Sequence, residues 1–261
     1  MPTLLTRLPC QSFHACALMH YHGEPAFDLD VPMAVLRIEN LLKSFTTPDG
    51  TVHRVIDVPS FSLEAAQHIG LRGESGSGKT TLLNLIAGIL MPDSGSIWID
   101  DRNIATMNEA GRDRIRGQSI GYIFQTFNLL HGYTALENIE LAMRFGGGVD
   151  RDRARALLER VGLADRMKYR PAQMSTGQQQ RVAVARALAN GPKLVLADEP
   201  TGNLDFRRAS EALALIREVC AEFGAALMLV SHDREILGAF EAVKDLSEIN
   251  RAMAAAPTNA D

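Results

Sequence analysis

The sequence has no uninterrupted apolar run near the ~18–20 residues that cross a bilayer. The longest, Leu82–Met91, is broken by Asn84 and Gly88. The first thirty residues carry Arg7 but no continuous apolar segment, because Pro9, Gln11, Ser12 and His14 interrupt it, so no secretory signal is expected. Cysteine is scarce. Cys10, Cys16 and Cys220 form neither a metal-ligand spacing nor a disulfide framework, which fits reduced thiols in a cytosolic protein. There is no surplus of positive charge either: 27 Lys plus Arg stand against 31 Asp plus Glu, a balance of −4 with no global pull toward nucleic acid. Internal repeats and long heptad runs are also missing. What remains is 46% apolar and 22% charged, an ordinary globular composition that excludes a disordered chain, a collagen-like one and a coiled-coil rod. At 261 residues there is room for one large domain, or a domain with an inserted subdomain.

Residues 1–32 are rich in His, Pro and Cys and lack helical or strand periodicity. They read as a disordered leader, with Met33 the alternative true start. A domain is expected over 33–250, with a mobile tail at 251–261. Within the domain, strand signals fall at Val35–Ile38, Val52–Val58 and His68–Leu71, with Pro48-Asp49-Gly50 a turn between the first two. A helix follows Gly76 and Gly78 as far as Gly88. Short strands come next at Ser96–Ile99 and Ile120–Phe124. The stretch from about 126 to 190 reads as helical. Thr134 and Glu137 have capping-box spacing, and Asp150 caps a helix that stops at Gly162. A strand at Lys193–Ala197, a helix at Phe206–Phe223 and a strand at Ala226–Val230 complete the pattern. Near-continuous apolar strands alternating with helices imply an α/β fold: a parallel sheet, an antiparallel part first, and a helical insertion in the middle.

The chemistry begins at Gly73-Glu74-Ser75-Gly76-Ser77-Gly78-Lys79-Thr80, a G-x-x-x-x-G-K-T loop between the apolar stretch Ile69–Leu71 and a helix. Its glycines let backbone N–H groups turn around a polyphosphate, and the new helix adds its positive end. Lys79 can reach the β- and γ-phosphates, and the Thr80 hydroxyl suits Mg²⁺. A glycine turn that merely caps a helix needs no lysine. Leu194–Ala197 is a buried strand that delivers Asp198 and Glu199 to the ligand crevice of such a sheet. Asp198 can hold Mg²⁺ through water, and Glu199 can take a proton from an attacking water. Two adjacent acids alone would more simply be a solvated strand end; paired with the lysine loop they are not. A further helix starts at Met174-Ser175-Thr176-Gly177-Gln178. Ser175 and Gln178 could form an ordinary capping box, yet Thr176 and Gly177 leave first-turn N–H groups unobstructed, a second anion site.

The segments GESGSGKT, STGQQQR, LVLADEP and VSHD occur in this order, and over roughly 35–232 the chain resembles the ATP-binding-cassette ATPases. The resemblance implies a P-loop core with a parallel sheet, an N-terminal antiparallel β-subdomain and an inserted α-helical subdomain. ATP would be held by Phe45, Gly73, Glu74, Ser75, Gly76, Ser77, Gly78, Lys79, Thr80 and Thr81 of one subunit. The signature residues Ser175, Thr176, Gly177 and Gln178 of a second subunit would complete the site, so that two ATP molecules are sandwiched in a head-to-tail dimer. Gln125, which alone would be surface filler, matches the glutamine that senses Mg²⁺ and water. His232 matches the histidine that contacts the γ-phosphate, and Asn203-Leu204-Asp205 the segment crossing the dimer interface. Mg²⁺ would then be held by Thr80, Gln125 and Asp198, and catalysis carried by Glu199, His232, Gln125 and Lys79.

The chain departs from the family pattern at four places. Thr176 stands for the usual Gly, Met174 for Leu, and Phe45 for a Tyr that stacks on adenine. Asp245–Glu248 stands for an Asp-Gly turn, from which a lost or rearranged last strand is expected. Residues 124–130 and 133–138, ADEPTGNLD and the Thr47–Gly50 insertion are similar to the branch serving lipoprotein release, macrolide efflux and cell division. The resemblance implies a homodimer that powers separate permease subunits from the cytoplasmic face of the membrane, without nucleic acid. Two rival readings share these motifs: an ATPase that signals mechanically across the membrane without transport, and a soluble cassette outside transport.

Overall fold

The computed structural model describes residues 34–202 and 204–253. The expectations for the leader 1–32, for Met33, for Asn203 and for residues 254–261 of the tail expected at 251–261 fall outside the described residues. Two long strands open the domain, β1 (Ala34–Thr46) and β2 (Val52–Glu64), joined through the Pro48–Gly50 turn. With β4 (Ser94–Ile99) and β5 (Arg102–Asn103) they make an antiparallel sheet ordered β2-β1-β4-β5. The second sheet is parallel, ordered β6-β7-β8-β3-β9, from β3 (His68–Arg72), β6 (Ile120–Ile123), β7 (Leu194–Asp198), β8 (Ala226–Ser231) and β9 (Ala242–Asp245).

Strand periodicity decides how the layers pack. Successive side chains of a strand point to opposite faces. Leu194 and Leu196 of β7, with Ala226, Met228 and Val230 of β8, join one core together with β1, β2, β4 and the helix α1 (Lys79–Ile86). Val195, Ala197, Leu227 and Leu229 join the other core, with residues of α3 (Ala135–Gly146), α4 (Arg151–Arg160), α5 (Thr176–Ala187) and α6 (Phe206–Glu222). Every residue of β7 and β8 is buried, as continuous apolar strands covered on both faces must be. Each Val or Leu so enclosed contributes about 1.5–3 kcal/mol relative to exposure.

The helix starts follow their side chains. Thr134 and Glu137 form the capping box at α3, Asp150 caps α4, and Asp205 caps α6. Between β5 and β6 lies α2 (Glu109–Ser119), capped by Asn108. Sequence periodicity did not reveal it, because only Ile115 and Ser119 are buried in an otherwise polar segment.

The expectation for the last strand needs correction. β9 is present and pairs in parallel with β3 from Ile69↔Ala242 to Arg72↔Asp245. An edge strand needs backbone partners on one side only. Here Arg72 adds two bonds to Asp245 Oδ2, at 2.9 and 2.8 Å. No Asp-Gly turn is required, because Asp245 caps the next helix, α8 (Leu246–Ile249), after the short α7 (Arg234–Leu237). The tail expected to be mobile from 251 also needs correction over its first three residues: Arg251–Met253 forms a 3-10 turn, the Ala252 N–H donates to Asn250 Oδ1 and Met253 packs against the core.

Candidate functional site

The loop Gly73–Gly78 carries the chain from β3 into α1. Gly78 is the N-cap at φ 93°, a left-handed conformation that favours glycine, and a Cβ there would lie 3.2 Å from the Val55 carbonyl oxygen. α2 to α6 each begin with a side chain that accepts a first-turn N–H; α1 begins with none. Its uncapped N–H groups are therefore donors without a local acceptor, at the positive end of the helix. Lys79 is 8% exposed, and its Nζ donates to the carbonyls of Gly73 at 2.7 Å and Glu74 at 2.8 Å. The same nitrogen lies 3.4 Å from Glu199 Oε1.

β7 delivers the two carboxylates. Asp198 is 6% exposed, and its Oδ1 is buried with no hydrogen-bond partner. Burial raises its carboxyl above the usual carboxylate range; Glu199 adds to this, while the Thr80 hydroxyl and Lys79 act against it. Glu199 takes a left-handed φ of 44°, which turns the chain out of the strand. Its Oε2 accepts from Ser231 Oγ at 3.0 Å, and its Oε1 from the His232 backbone N–H at 3.1 Å. His232 Nδ1 stands 2.9 Å from the same Oε1.

One cleft of ≈ 870 Å³ gathers Phe45, Val55, Glu74, Ser75, Gly76, Gly78, Lys79, Thr80, Thr81, Gln125, Glu199 and His232. Phe45, 43% exposed, belongs to this cleft and not to the core. Asp198 is buried beside it, within the reach of Thr80 that its shifted carboxyl reflects. Gly73 and Ser77 line neighbouring hollows that share Glu74 with the cleft. Ser175, Gly177 and Gln178 line a different cavity, of ≈ 400 Å³, which shares no residue with the first. Thr176, at the first position of α5, and Asp205 are exposed. Ser175 and Gln178 do form the capping box, with Ser175 Oγ accepting the Gln178 N–H at 3.3 Å. A Cβ on Gly177 would meet nothing within 4 Å, so packing in this chain does not require glycine there.

Three residues at the site had no role in the sequence reading. Ser231 preceded His232 without a sign that its hydroxyl would hold Glu199. Gln180, 2% exposed, donates to the Pro200 carbonyl at 2.7 Å and so ties α5 to the loop after the carboxylates. Arg186 donates to the carbonyls of Phe127 and Asn128, each at 2.6 Å, and fastens two left-handed residues that follow Gln125. Burial lowers its guanidinium to about 10. An arginine in the last turn of a helix carries no local mark of such a partner.

The donor set offers a divalent cation an oxygen-rich site: the partnerless Asp198 Oδ1, the Thr80 hydroxyl and the Gln125 amide, which suit hard Mg²⁺. Among the described residues no cluster of three or more His, Cys, Asp or Glu could hold a metal.

A family model described as ABC transporter matches residues 56–202. The chain is 42% identical over 207 residues to the lipoprotein-releasing system ATP-binding protein LolD 1 of Chlorobium chlorochromatii, which covers 78% of this chain and 84% of that protein. It is 38% identical over 202 residues to LolD of Saccharophagus degradans, covering 76% and 88% respectively. Among solved structures, a dimeric ATP-binding cassette in a post-hydrolysis state with ADP and Pi superposes with a TM-score of 0.73 at 32% identity, over 80% of this chain and 93% of that one.

Proposed function

The chain belongs to the ABC transporter family as an ATPase subunit similar to the lipoprotein-release branch, and from that premise we propose that it drives a membrane permease by closing in pairs around ATP. The observation that carries this reading is the separation of the two helix starts. The uncapped α1 and Lys79 line one cavity, whereas the α5 start lines another. Neither cavity of a single chain contains both, so a second copy is needed to bring α5 against a triphosphate seated on α1.

Phe45 stacks on the base, and base–aromatic stacking contributes about 1–3 kcal/mol by analogy with single-strand nucleic-acid binders. Lys79 exchanges the Gly73 and Glu74 carbonyls for phosphate oxygens, and the α1 N–H groups cradle the rest. Thr80, Gln125 and Asp198 would hold Mg²⁺, which would offset negative charge on the β- and γ-phosphates. Glu199 accepts the proton of a water that attacks the γ-phosphorus, and the bond to the β–γ bridging oxygen breaks to release ADP. Ser231 and the His232 backbone N–H keep the Glu199 carboxylate oriented, and the exposed His232 ring contacts the transferring group. Asp205 and the signature residues meet the partner copy.

A groove of ≈ 460 Å³ lined by Ile89, Tyr122, Phe124, Phe145 and Arg186 is the surface assigned to the permease. Phe145 is 71% exposed there, and Arg186 links the groove to the loop after Gln125. No helix among the described residues is long and apolar enough to cross a membrane. The assigned location is the cytoplasmic membrane face, through that permease.

Gly177 supplies the test, because a side chain there has free space within its own chain. Glu199→Gln is expected to dimerise with ATP in light scattering. Glu199→Gln combined with Gly177→Asp is expected to bind ATP equally well and stay monomeric. A double variant that dimerises like the single one would overturn the paired arrangement.

A further inference from the structure

β1 and β2 lose register beside the cleft. Lys43 pairs with Ile56 but Ser44 pairs with Arg54, so Val55 is an extra residue in β2, a bulge. A bulge re-aims a side chain and leaves backbone groups without ladder partners. Both consequences are visible. Val55 lines the nucleotide cleft with Phe45, and its carbonyl stands beside Gly78, the N-cap of α1.

The partner of the bulge comes from the far end of the chain. Asn250, wholly buried, donates from Nδ2 to the Val55 carbonyl at 2.8 Å. Its Oδ1 accepts the Asp57 N–H at 2.7 Å and the Ala252 N–H at 3.3 Å. Asn250 is in turn fixed by its own backbone N–H to the Leu246 carbonyl at 2.8 Å, and Leu246 is buried in the core. One amide thus spans the bulge, bonding to the residues on either side of Ile56, and sits on a short helix anchored by β9.

We infer that Asn250 is a positioning residue for nucleotide binding: it clamps the Val55 bulge so that Val55 forms a wall of the cleft between Phe45 and the phosphate loop. This rests on the reading that the cleft takes ATP with its base end toward Phe45. Without the clamp the bulge can slide or flatten. Val55 would then leave the wall, while Lys79 and the α1 N–H groups, held by Gly73, Glu74 and the helix, keep their place. The clamp therefore acts on the nucleoside end of ATP and not on its phosphates.

The test compares ATP with inorganic tripolyphosphate, which has the phosphates alone, by titration of the full chain and of Asn250→Ala. Asn250→Ala removes the donor to Val55 together with the acceptor for Asp57 and Ala252; freeing the bulge in this way should weaken ATP binding about five- to tenfold and leave tripolyphosphate within about twofold. Asn250→Leu keeps nearly the branched shape of the side chain and offers Val55 no donor. It should show the same selective loss, and it stands in if Asn250→Ala does not fold. Val55→Ala should weaken ATP comparably, and combining it with Asn250→Leu should add little further. Equal loss for both ligands, or a lower melting temperature with unchanged affinities, would reduce Asn250 to a structural clasp. Strictly additive losses would separate it from Val55. Wild-type protein that binds ATP no better than tripolyphosphate would instead overturn the assignment of the base to Phe45.

Discussion

Replacing Glu199 by glutamine separates the proton-accepting step from everything else the side chain does. The shape is conserved, and the amide oxygen can still accept from the His232 backbone N–H that now lies 3.1 Å from Oε1. At the other end the Ser231 hydroxyl, 3.0 Å from Oε2, can rotate to accept from the new NH₂. The fold should survive. What disappears is a negative charge 3.4 Å from Lys79 Nζ. At an effective dielectric of ~20 that attraction is roughly 4–5 kcal/mol before desolvation is counted. It holds Lys79 in the ligand-free site but competes with phosphate for the same ammonium. A carboxylate beside the polyphosphate also repels it. Neutralising Glu199 should therefore leave ATP affinity unchanged or tighten it. Turnover is different, since a positioned general base contributes about 10²–10⁴-fold. Phosphate release at saturating ATP and Mg²⁺ should fall by about 100-fold or more. Turnover within about threefold of wild type would remove Glu199 from the base role. A drop in ATP affinity beyond about tenfold would mean that the carboxylate is part of the binding scaffold.

Lys79→Ala removes the ammonium proposed to exchange the Gly73 and Glu74 carbonyls for phosphate oxygens, so ATP affinity in a titration should fall by about 100-fold or more; unchanged affinity would count against the loop assignment. His68 is expected to give a pH signature of stability. Burial lowers its imidazole below the ordinary 6.5, and its Nε2 is buried without a partner. The unfolded chain thus binds a proton that the folded one refuses, and stability should fall as pH drops through and below 6.5. Urea midpoints between neutral pH and the mildly acidic range should therefore decline less in His68→Gln than in wild type, and an unaltered slope would rule out this source.

Much of the fold was legible because its causes are local. Leu194–Ala197 alternates between two cores only because both faces of its sheet are covered, and a continuous apolar run announces that. Thr134 with Glu137, and Asp150, mark helix starts that the chain then uses. The polar helix Glu109–Ser119 was illegible for the same reason: it buries too little to leave a period. The last strand was misjudged because the usual turn was taken as necessary to it. An edge strand is fixed instead by backbone pairing to β3 and by Arg72, 173 residues from its partner Asp245.

At the site, the Gly73–Thr80 loop and the pair Asp198 and Glu199 could be singled out together because phosphate chemistry restricts which residues can stand in such a loop and at what spacing, and the fold brings Lys79 and Glu199 into one cleft. The hold on Glu199 by Ser231, on the loop after Gln125 by Arg186, and on the Val55 bulge by Asn250 was not. Those partners satisfy backbone and carboxylate groups, and almost any polar side chain brought close enough could do so.

The sequence by itself determined the order of strands and helices, the helix caps and the glycine turn that opens α1, since each depends on residues a few positions apart. Only the tertiary structure decided that α1 and α5 start in separate cavities, and which distant side chain answers each exposed backbone group. That decision follows from how the two sheets and their helices pack, and packing brings together residues whose identities carry no record of one another.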